Sequence, residues 1–599
     1  MLVIGVDTGG TFTDFIWREE DTWGEYKCLS TPSNPAQAVL MGLDRIAGDR
    51  DFDLVHGSTV ATNAILEKKG ARTALITTRR FEDVIEIGRQ NRSELYDFCA
   101  RKNPPLVPRS LRFGIPGRID RNGQISEELI QGDIEPLLAP LQASGAESIA
   151  VCLLFSFNNP QHEQLTAQVL SGLDLPISLS HEVLAEFREF ERTSTTVINA
   201  YVAPKMQRYL TRLHEQLAGR RFRIMQSNGG SISATTAMRE SVRTILSGPA
   251  GGAVGAFEVG RMAGFKRLIT FDMGGTSTDV ALIDDALPLT TESSIAGYPV
   301  KVPMIDIHTV GAGGGSIATV DTGGSLKVGP ESAGADPGPI CYGKGDQITV
   351  TDAHLYLGRL DPGTFLGGEM VLDASTLQDR FEELAAQLAL SPRQLAEGII
   401  AVADTTMERA IKAISVEKGF DPREFTLVCF GGAGGLHAAS LARSLSIPQI
   451  LIPRNPGILS AAGMLMSDVI KDYSQTIMLD GARASGEHLE PHFASLVEKG
   501  RSELAFEGFA AQAIFLERYL DMRYRGQSYE IMVPFSDNFR EDFHCQHKQL
   551  YGYCNLDKEI ELVNVRLRAI GKPDKPVFPA QPLAGEAPDP AAYLGQRKV

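Results

Sequence analysis

The chain has 599 residues, with 58 Lys and Arg against 74 Asp and Glu and a formal net charge of −16. That acidic balance argues against nucleic acid or an anionic membrane surface as the main partner, and no apolar run approaches the ~18 residues of a membrane span. Hydrophobic content of 43% and charged content of 22% are ordinary for a globular protein long enough for about two to four domains. Seven scattered cysteines form no C-x-x-C pair, so they read as reduced thiols and not as a disulfide framework or zinc knuckle. With no basic-then-apolar leader ahead of the first strand, the expected location is the cytoplasm.

The first stretch with a chemical signature is Asp7-Thr8-Gly9-Gly10-Thr11-Phe12-Thr13-Asp14, flanked by Leu2-Val3-Ile4 and Phe15-Ile16-Trp17. It predicts a strand, a Gly-Gly-Thr turn and a second strand. Gly9 and Gly10 leave no Cβ between a bulky anion and the backbone N–H groups. Thr11 and Thr13 add hydroxyl donors, and Asp7 at the strand end is placed to hold a hydrated Mg²⁺ against phosphates. Taken alone, such a hairpin reads equally well as a plain tight turn. A helix is predicted over 34–47, then a strand from Leu54 ending at a polar turn, with a helix opening near Thr59. His56, Thr59 and Asn63 lie in this stretch. Its helix start is either an ordinary N-cap or a place for an anion or polarised carbonyl. After a strand over 71–78, Arg89 and Arg92 flank a Gln-Asn turn that is either a carboxylate or phosphate clamp or a solvated charged face. Residues 100–118, with four prolines, predict an extended surface loop. A strand over 149–157 and a helix over 160–173 follow. The polar run Glu191–Asn199 then leads into a helix expected to cross to the second lobe. Adjacent Glu191 and Arg192 point apart on a helix, so only one of them faces a cleft.

The second half opens with a strand at 222–225, an Asn-Gly-Gly turn and a helix at 233–240. A Gly-Pro loop at 246–253 then precedes a small-residue helix. Asp272-Met273-Gly274-Gly275-Thr276-Ser277-Thr278-Asp279 next repeats the first hairpin, with six of eight residues identical. A repeat this close makes a chance turn a poor account, and it gives Asp272, Gly274, Gly275, Thr276 and Thr278 the same expected roles as their counterparts. In the run His308–Ser316, Gly313 and Gly314 predict an N–H nest for a phosphate or carbonyl oxygen. His308 beside it is either an acid/base or a structural histidine. Asp306, His308, Asp336, Asp352 and His354 could in principle form a second metal site, although their spacing matches no standard motif. Helices are predicted over 377–388 and 392–416. A strand over 425–430 runs into Gly431, Gly432, Gly434 and Gly435, a turn suited to a flat ligand lying on the backbone. A helix at 491–506 and strands at 513–523, 528–533 and 559–569 predict a small α+β module, and a Pro/Ala-rich tail follows.

Together these stretches resemble the hydantoinase A / 5-oxoprolinase family, which includes the matching subunits of acetone and acetophenone carboxylases. That family sits within the acetate and sugar kinase, chaperone and actin superfamily. The resemblance rests on the paired D-x-G-G-T-x-T-D hairpins, H-G-S-T-V-A-T-N-A at 56–64, E-I-G-R-Q-N-R at 86–92, E-R-T-S-T-T-V-I-N-A-Y-V-A-P at 191–204, H-T-V-G-A-G-G-G-S at 308–316 and D-M-R-Y-R-G-Q at 521–527. It departs at His354, where Asn is common, and at Gly435, where Pro is usual. It implies an α/β fold in which two ribonuclease-H-like (actin-like ATPase) domains close over ATP and Mg²⁺, with a small C-terminal α+β module. The expected divisions are 1–185, 186–480, 481–575 and a tail at 576–599. Asp7, Asp272, Thr11 and Thr276 are the implied catalytic residues, and His56, Thr59, Asn63, Arg89, Arg92, His308, Gly313 and Gly314 the implied substrate residues. The implied activity is ATP-dependent opening of a cyclic amide through phosphorylation of its carbonyl oxygen, in a hetero-oligomer with a hydantoinase B-type companion subunit. The alternatives are the ATP-using subunit of an acetone- or acetophenone-type carboxylase and, more remotely, a nucleotide-switched binding protein.

Overall fold

The computed structural model describes residues 2–596 apart from 11, 21, 32–33, 91–95, 97–98, 100–101, 218, 369, 482, 576–586, 588–589 and 594. Its organising feature is one five-strand pattern built twice. In the first lobe, β1 (Leu2–Thr8), β2 (Phe12–Glu19) and β3 (Thr22–Leu29) form an antiparallel meander. β4 (Phe52–Ser58) then joins β1 in parallel, and after the long helix α1 (Glu189–Gln216), β5 (Phe222–Met225) joins β4 in parallel. The chain next passes through α2 (Ser247–Met262) into the second lobe. There β6 (Arg267–Met273), β7 (Thr278–Asp284) and β8 (His308–Val310) form the antiparallel meander. Helices α3 (Val350–Tyr356) and α4 (Pro392–Ile414) follow, and β9 (Thr426–Phe430) and β10 (Gln449–Leu451) add in parallel. Both sheets therefore read third-second-first-fourth-fifth, the ribonuclease-H-like order of an actin-like ATPase lobe.

Each lobe has its own apolar core. The first is built around Ile4, Val6, Phe15, Leu54 and the inner face of α1, and the second around Ile269, Phe271, Leu427 and α4. A third cluster, with Val55, Met225, Val428 and Phe430, joins them through α2 and α5 (Leu459–Leu465). These two helices approach backbone to backbone: a Cβ on Gly255 would lie 2.6 Å from the Leu459 carbonyl oxygen. The small residues near 250–255 thus serve close packing, and what the sequence suggests is a loop at 246–253 is the first two turns of α2. Pro249 is tolerated there because first-turn N–H groups have no intrahelical partner.

Three further expectations change. α1 stays within the first-lobe core, and β5 lies in the first sheet beyond residue 186, so the passage between lobes comes at α2. Residues 112–115 of the proline-rich segment form a strand paired in parallel with 73–78, part of a separate four-stranded sheet. The short strand Ser231–Ser233 and the C-terminal strands Val469–Asp480, Ile514–Tyr524, Ile531–Pro534 and Ile560–Gly571 continue the first sheet to ten strands. No helix among the described residues is long and apolar enough to cross a membrane.

Candidate functional site

The two hairpins have the same geometry. Asp7 faces Asp14 across β1 and β2, and Asp272 faces Asp279 across β6 and β7. The Gly9 N–H donates to the Phe12 carbonyl at 2.9 Å, and the Gly274 N–H to that of Ser277 at 3.0 Å. Gly10, Gly275 and Thr276 are exposed at the tips, and a Cβ on either glycine would meet nothing within 4 Å. Thr11 lies outside the described residues. Thr13 and Thr278 were expected to hold phosphate, but both are fully buried. Thr13 Oγ1 lies 3.0 Å from Ser30 Oγ, which donates to the Gly9 carbonyl, and Thr278 Oγ1 donates to the Ala312 carbonyl at 2.6 Å. Their hydroxyls brace the turns from beneath because the strand alternation turns these positions inward.

The carboxylates of the two hairpins sense each other. Burial, reinforced by Asp14 and opposed by Lys27, pushes Asp7 up to about 7. Asp272 is raised well above the usual carboxylate range by burial, then by Asp279, Asp7 and Asp14. Burial lifts Asp279 to about 6 against a hydrogen bond from Thr309. Lys27, 2.6 Å from Asp14, is the cation among these four acids. Asp7 Oδ1 is buried without a hydrogen-bond partner among the described residues. Four converging carboxylates, one lysine and one orphaned oxygen fit a hydrated divalent cation: opposite charge removes the repulsion that raises these acids. Among the described residues no three His, Cys, Asp or Glu side chains could enclose a metal alone, so water and phosphate oxygens must complete any such site.

Other elements close in on the hairpins. The α2 N-terminus lies beside Asp7, with a Cβ on Gly248 falling 3.3 Å from Asp7 Oδ1, and Ser247 Oγ donates to the Ser58 carbonyl at 3.1 Å. The sequence reads Ser247-Gly248-Pro249-Ala250-Gly251-Gly252 as either a nucleotide or substrate loop or a close-packing run, and it does not single out Lys27. The Gly-Pro stretch hides a helix start, and Lys27 sits in an otherwise ordinary edge strand. The turn after β9 is tied to the second hairpin by the Ala433 N–H, which donates to the Met273 carbonyl at 3.0 Å. Gly431 packs against Asp272 at φ +81, a conformation that favours glycine, and Gly434 packs against Cys429 and Phe271. Gly432 and Gly435 are exposed to open space and present a flat backbone face.

The expected nest at Gly313 and Gly314 is not open. Gly313 N–H donates to Ser316 Oγ at 2.8 Å, and the Gly314 and Gly315 N–H groups donate to the Gly274 and Gly275 carbonyls at 3.1 and 2.6 Å. The segment clamps the second hairpin instead. α3 holds the clamp: the Thr351 N–H and Oγ1 both donate to the Gly314 carbonyl at 2.8 Å. On the same helix, His354 Nε2 lies 3.0 Å from His437 Nε2, whose ring carries Nδ1 to Asp404 on α4 at 2.6 Å. Burial, then His437, holds His354 down to about 2. α3 thus braces both the hairpin and the glycine turn. These contacts also dissolve the second-metal idea. Asp352 caps α3 and accepts from the Thr349, Ile340 and Cys341 N–H groups, Asp306 pairs with Lys418, Asp336 with Lys344, and His308 is exposed on β8.

The first-lobe candidates divide. His56 is a correction: it is fully buried, with Nδ1 3.1 Å from the Val6 carbonyl and Nε2 2.6 Å from the Tyr209 hydroxyl. A carbonyl only accepts, so Nδ1 carries the proton and Nε2 accepts from Tyr209. Burial holds this ring neutral, down at about 4. Thr59 Oγ1 donates to the Thr8 carbonyl at 3.2 Å, with Asn63 Nδ2 3.4 Å behind it, so both stand at the base of the first hairpin. Arg89 is elsewhere, on Glu191 at 2.7 Å. Arg92 lies outside the described residues. Arg192 turns inward onto the Leu153 carbonyl, so Glu191 is the outward member of that adjacent pair.

Family models match almost end to end: the hydantoinase/oxoprolinase N-terminal region over 3–173, hydantoinase/oxoprolinase over 192–473 and the hydantoinase/oxoprolinase C-terminal domain over 479–599. The chain is 37% identical to the caprolactamase subunit alpha of Pseudomonas jessenii, covering 98% of this chain and 90% of that one. The crystal structure of the ATP-dependent caprolactamase from that organism superposes with a TM-score of 0.87 at 36% identity, over 98% of this chain and 90% of the other. A nucleotide-free acetone carboxylase structure superposes with a TM-score of 0.80 at 27% identity, over 99% and 91%. The 5-oxoprolinase of Saccharomyces cerevisiae is 33% identical over 95% of this chain, which spans 49% of that longer protein.

Proposed function

Because the chain belongs to the hydantoinase/oxoprolinase family, we propose that it is the ATP-using subunit of an enzyme that opens a cyclic amide. The observation that carries this reading is the pair of equivalent carboxylate hairpins facing each other across one cleft. The exposed tips at Gly10, Gly275 and Thr276 would hold the triphosphate, and Gly432 and Gly435 the adenosine. Asp7 and Asp272 would hold a hydrated Mg²⁺, which supplies positive charge against the phosphates. An amide carbon is a poor electrophile. Transfer of the γ-phosphoryl group to the amide oxygen breaks the bond to the β-phosphate, releases ADP and turns that oxygen into a leaving group, so water can then attack the carbon. The chain's own residues contribute position and charge: the hairpins align donor and acceptor, and the α2 N-terminus directs N–H groups toward the anion.

The companion that completes ring opening is proposed to be a hydantoinase B-type subunit, since the relative of highest functional detail is itself named a subunit. The likeness to acetone carboxylase favours a second reading, in which the same cleft phosphorylates a ketone-derived oxygen and bicarbonate. Phosphate release from Mg-ATP, measured with and without the companion, separates the two. Stimulation by a lactam or hydantoin alone supports ring opening. Stimulation only by a ketone with bicarbonate replaces it with the carboxylase.

A further inference from the structure

Three parts of the chain meet around a cavity of about 140 Å³ that the nucleotide site does not use. The first lobe gives it Gln226 and Ile232, the segment leading to β8 gives Lys301 and Val302, and the C-terminal strands and helix give Leu496 and Arg566. Lys301 is 2% exposed, yet its Nζ makes no well-formed hydrogen bond among the described residues. Glu186 Oε2 lies 2.9 Å away as its ion-pair partner, and Glu186 also pairs with Arg566 at 2.8 Å. The Phe187 ring centre lies 5.5 Å from the same nitrogen. An ammonium carries three N–H groups, so one carboxylate oxygen and one ring face leave it a donor to spare. A buried cation is costly unless its donors are satisfied. The backbone that carries it is fixed, because the Lys301 N–H donates to Thr195 Oγ1 on α1 at 2.9 Å.

The walls say what completes it. Six Lys and Arg side chains line the cavity against five Asp and Glu, an excess of one positive charge in a chain of net −16. That balance takes a monoanion, whereas a phosphate dianion would leave the cavity negative beside buried Glu186. Ile232, Val302 and Leu496 give apolar wall, and a cavity of about 150 Å³ takes a six-carbon ligand such as benzene. We propose that the cavity binds a short aliphatic carboxylate, with its oxygens on Lys301 Nζ and its chain against Ile232, Val302 and Leu496. The sheet register fixes its distance from the first hairpin. Ile224 pairs with His56 and His56 with Val6, so Gln226 at the end of β5 lies level with Thr8. β5 and β1 are two strand spacings apart, about 10 Å, far beyond the ~3–3.5 Å of reacting atoms. Among the described residues, neither hairpin contributes to the cavity walls. It is therefore a binding site and not a reacting one. This inference goes beyond the cyclic-amide reading and does not depend on it, although opening an unsubstituted lactam creates such a carboxylate, with an amino group at the far end.

The test is calorimetric titration of the full chain, without nucleotide and at constant ionic strength, with butyrate, butylammonium, 2-pyrrolidinone and 4-aminobutyrate. Butyrate should bind at least about tenfold more tightly than butylammonium or 2-pyrrolidinone, the scale of one charge-assisted hydrogen bond. 4-Aminobutyrate identifies the source: tighter binding than butyrate points to a ring-opened amino acid, weaker binding to a plain carboxylate, and either order supports the carboxylate site. Lys301→Met keeps the stem and leaves Glu186 to Arg566, and it should lower butyrate affinity at least about tenfold, with partial return in Lys301→Arg. Thr236, half-buried in the cavity wall, gives a variant that leaves the buried charges in place. Thr236→Trp fills the space and should lower butyrate affinity to a similar degree. No butyrate binding, equal binding of butyrate and butylammonium, or affinity within about threefold of wild type in either Lys301→Met or Thr236→Trp at unchanged melting temperature overturns the proposal. If Lys301→Met melts early, Thr236→Trp decides. Failure of the ring-opening reading is seen separately, as lactams that do not stimulate phosphate release.

Discussion

Gly313→Ala is the sharpest probe of the clamp on the second hairpin. A Cβ built on Gly313 falls 2.7 Å from three backbone atoms, Gly275 C, Thr276 C and Thr276 N. Carbon contacts relax near 3.5 Å, so the hairpin tip or the clamp must retreat by roughly 0.7 Å or more. Both neighbours are backbone, and no rotamer change relieves the clash. Overpacking of this kind costs about 1–3 kcal/mol, and a ~1 Å misplacement of groups that align reactants can cost about 100-fold in rate. The expected outcome is a 30- to 100-fold fall in ATP turnover, taking roughly that scale from the same relation, with a modest fall in melting temperature. Gly314→Ala serves as one control: its Cβ would meet Thr351 Oγ1 at 2.8 Å, a side-chain end that can rotate at the loss of one hydrogen bond. Gly132→Ala serves as another, since nothing lies within 4 Å of its Cβ and it sits on a short surface helix away from the hairpins. The assay is steady-state phosphate release, with equilibrium binding of a fluorescent ATP analogue and thermal melts in parallel. Turnover by Gly313→Ala within about threefold of wild type, or losses equal across the three variants, would refute the argument that backbone contact at this glycine sets the hairpin.

Three other expectations use different groups. Asp7→Asn and Asp272→Asn should each lower Mg-ATP turnover by about 100-fold or more, yet leave the metal-free protein at pH 8 as stable or more stable. Both acids are raised by burial, so the stability lost as pH climbs through the Asp7 value of about 7 is not lost once the charge is gone. His56 is held near 4 against an ordinary 6.5, so its stability contribution is complete above pH 6.5 and disappears as pH falls toward 4. That difference is worth roughly 3 kcal/mol, and melts of His56→Gln between pH 6.5 and 4 should lack this component of the pH dependence. His354→Leu should raise the ATP KM about tenfold with a smaller effect on kcat, because it frees the glycine turn while leaving Thr351 on the clamp; an unchanged KM in a folded variant would remove the brace.

What the sequence made legible was local. The strand–turn–strand pattern of both hairpins, the strand and turn at 425–435 and helices such as α4 follow from spacing and turn chemistry within a few residues. The misreadings depend on distant partners. Gly313 and Gly314 look like an open nest until Ser316 Oγ is placed on the Gly313 N–H and the Gly274 and Gly275 carbonyls on those of Gly314 and Gly315. His56 looks like a site residue because it adjoins Ser58 and Thr59, but β4 is central, and residues 54–58 are buried without alternation. Apolar helices cover both faces there, and the period-two rule no longer separates inside from outside. The pairing of the C-terminal strands with the first sheet joins Ser231 to Val469, a separation that no local signal reports.

The same eight-residue pattern occurs twice, but the fold gives its copies different surroundings. The second hairpin is fixed within its own lobe, by the Gly313–Gly315 segment, by α3 behind that segment and by Ala433 on the adjoining turn. The first hairpin, besides Ser30 and Thr59 of its own lobe, is also tied to the segment before α5: Lys27 holds Asp14 and reaches the Gly457 carbonyl at 3.4 Å, and Asn455 donates to Glu25. The repeat therefore supplies two similar exposed tips, and its unequal bracing makes the first the one whose strands are also held from the segment before α5. Lys27 is thus the residue at which the charge of the four carboxylates meets a contact made from outside the first hairpin.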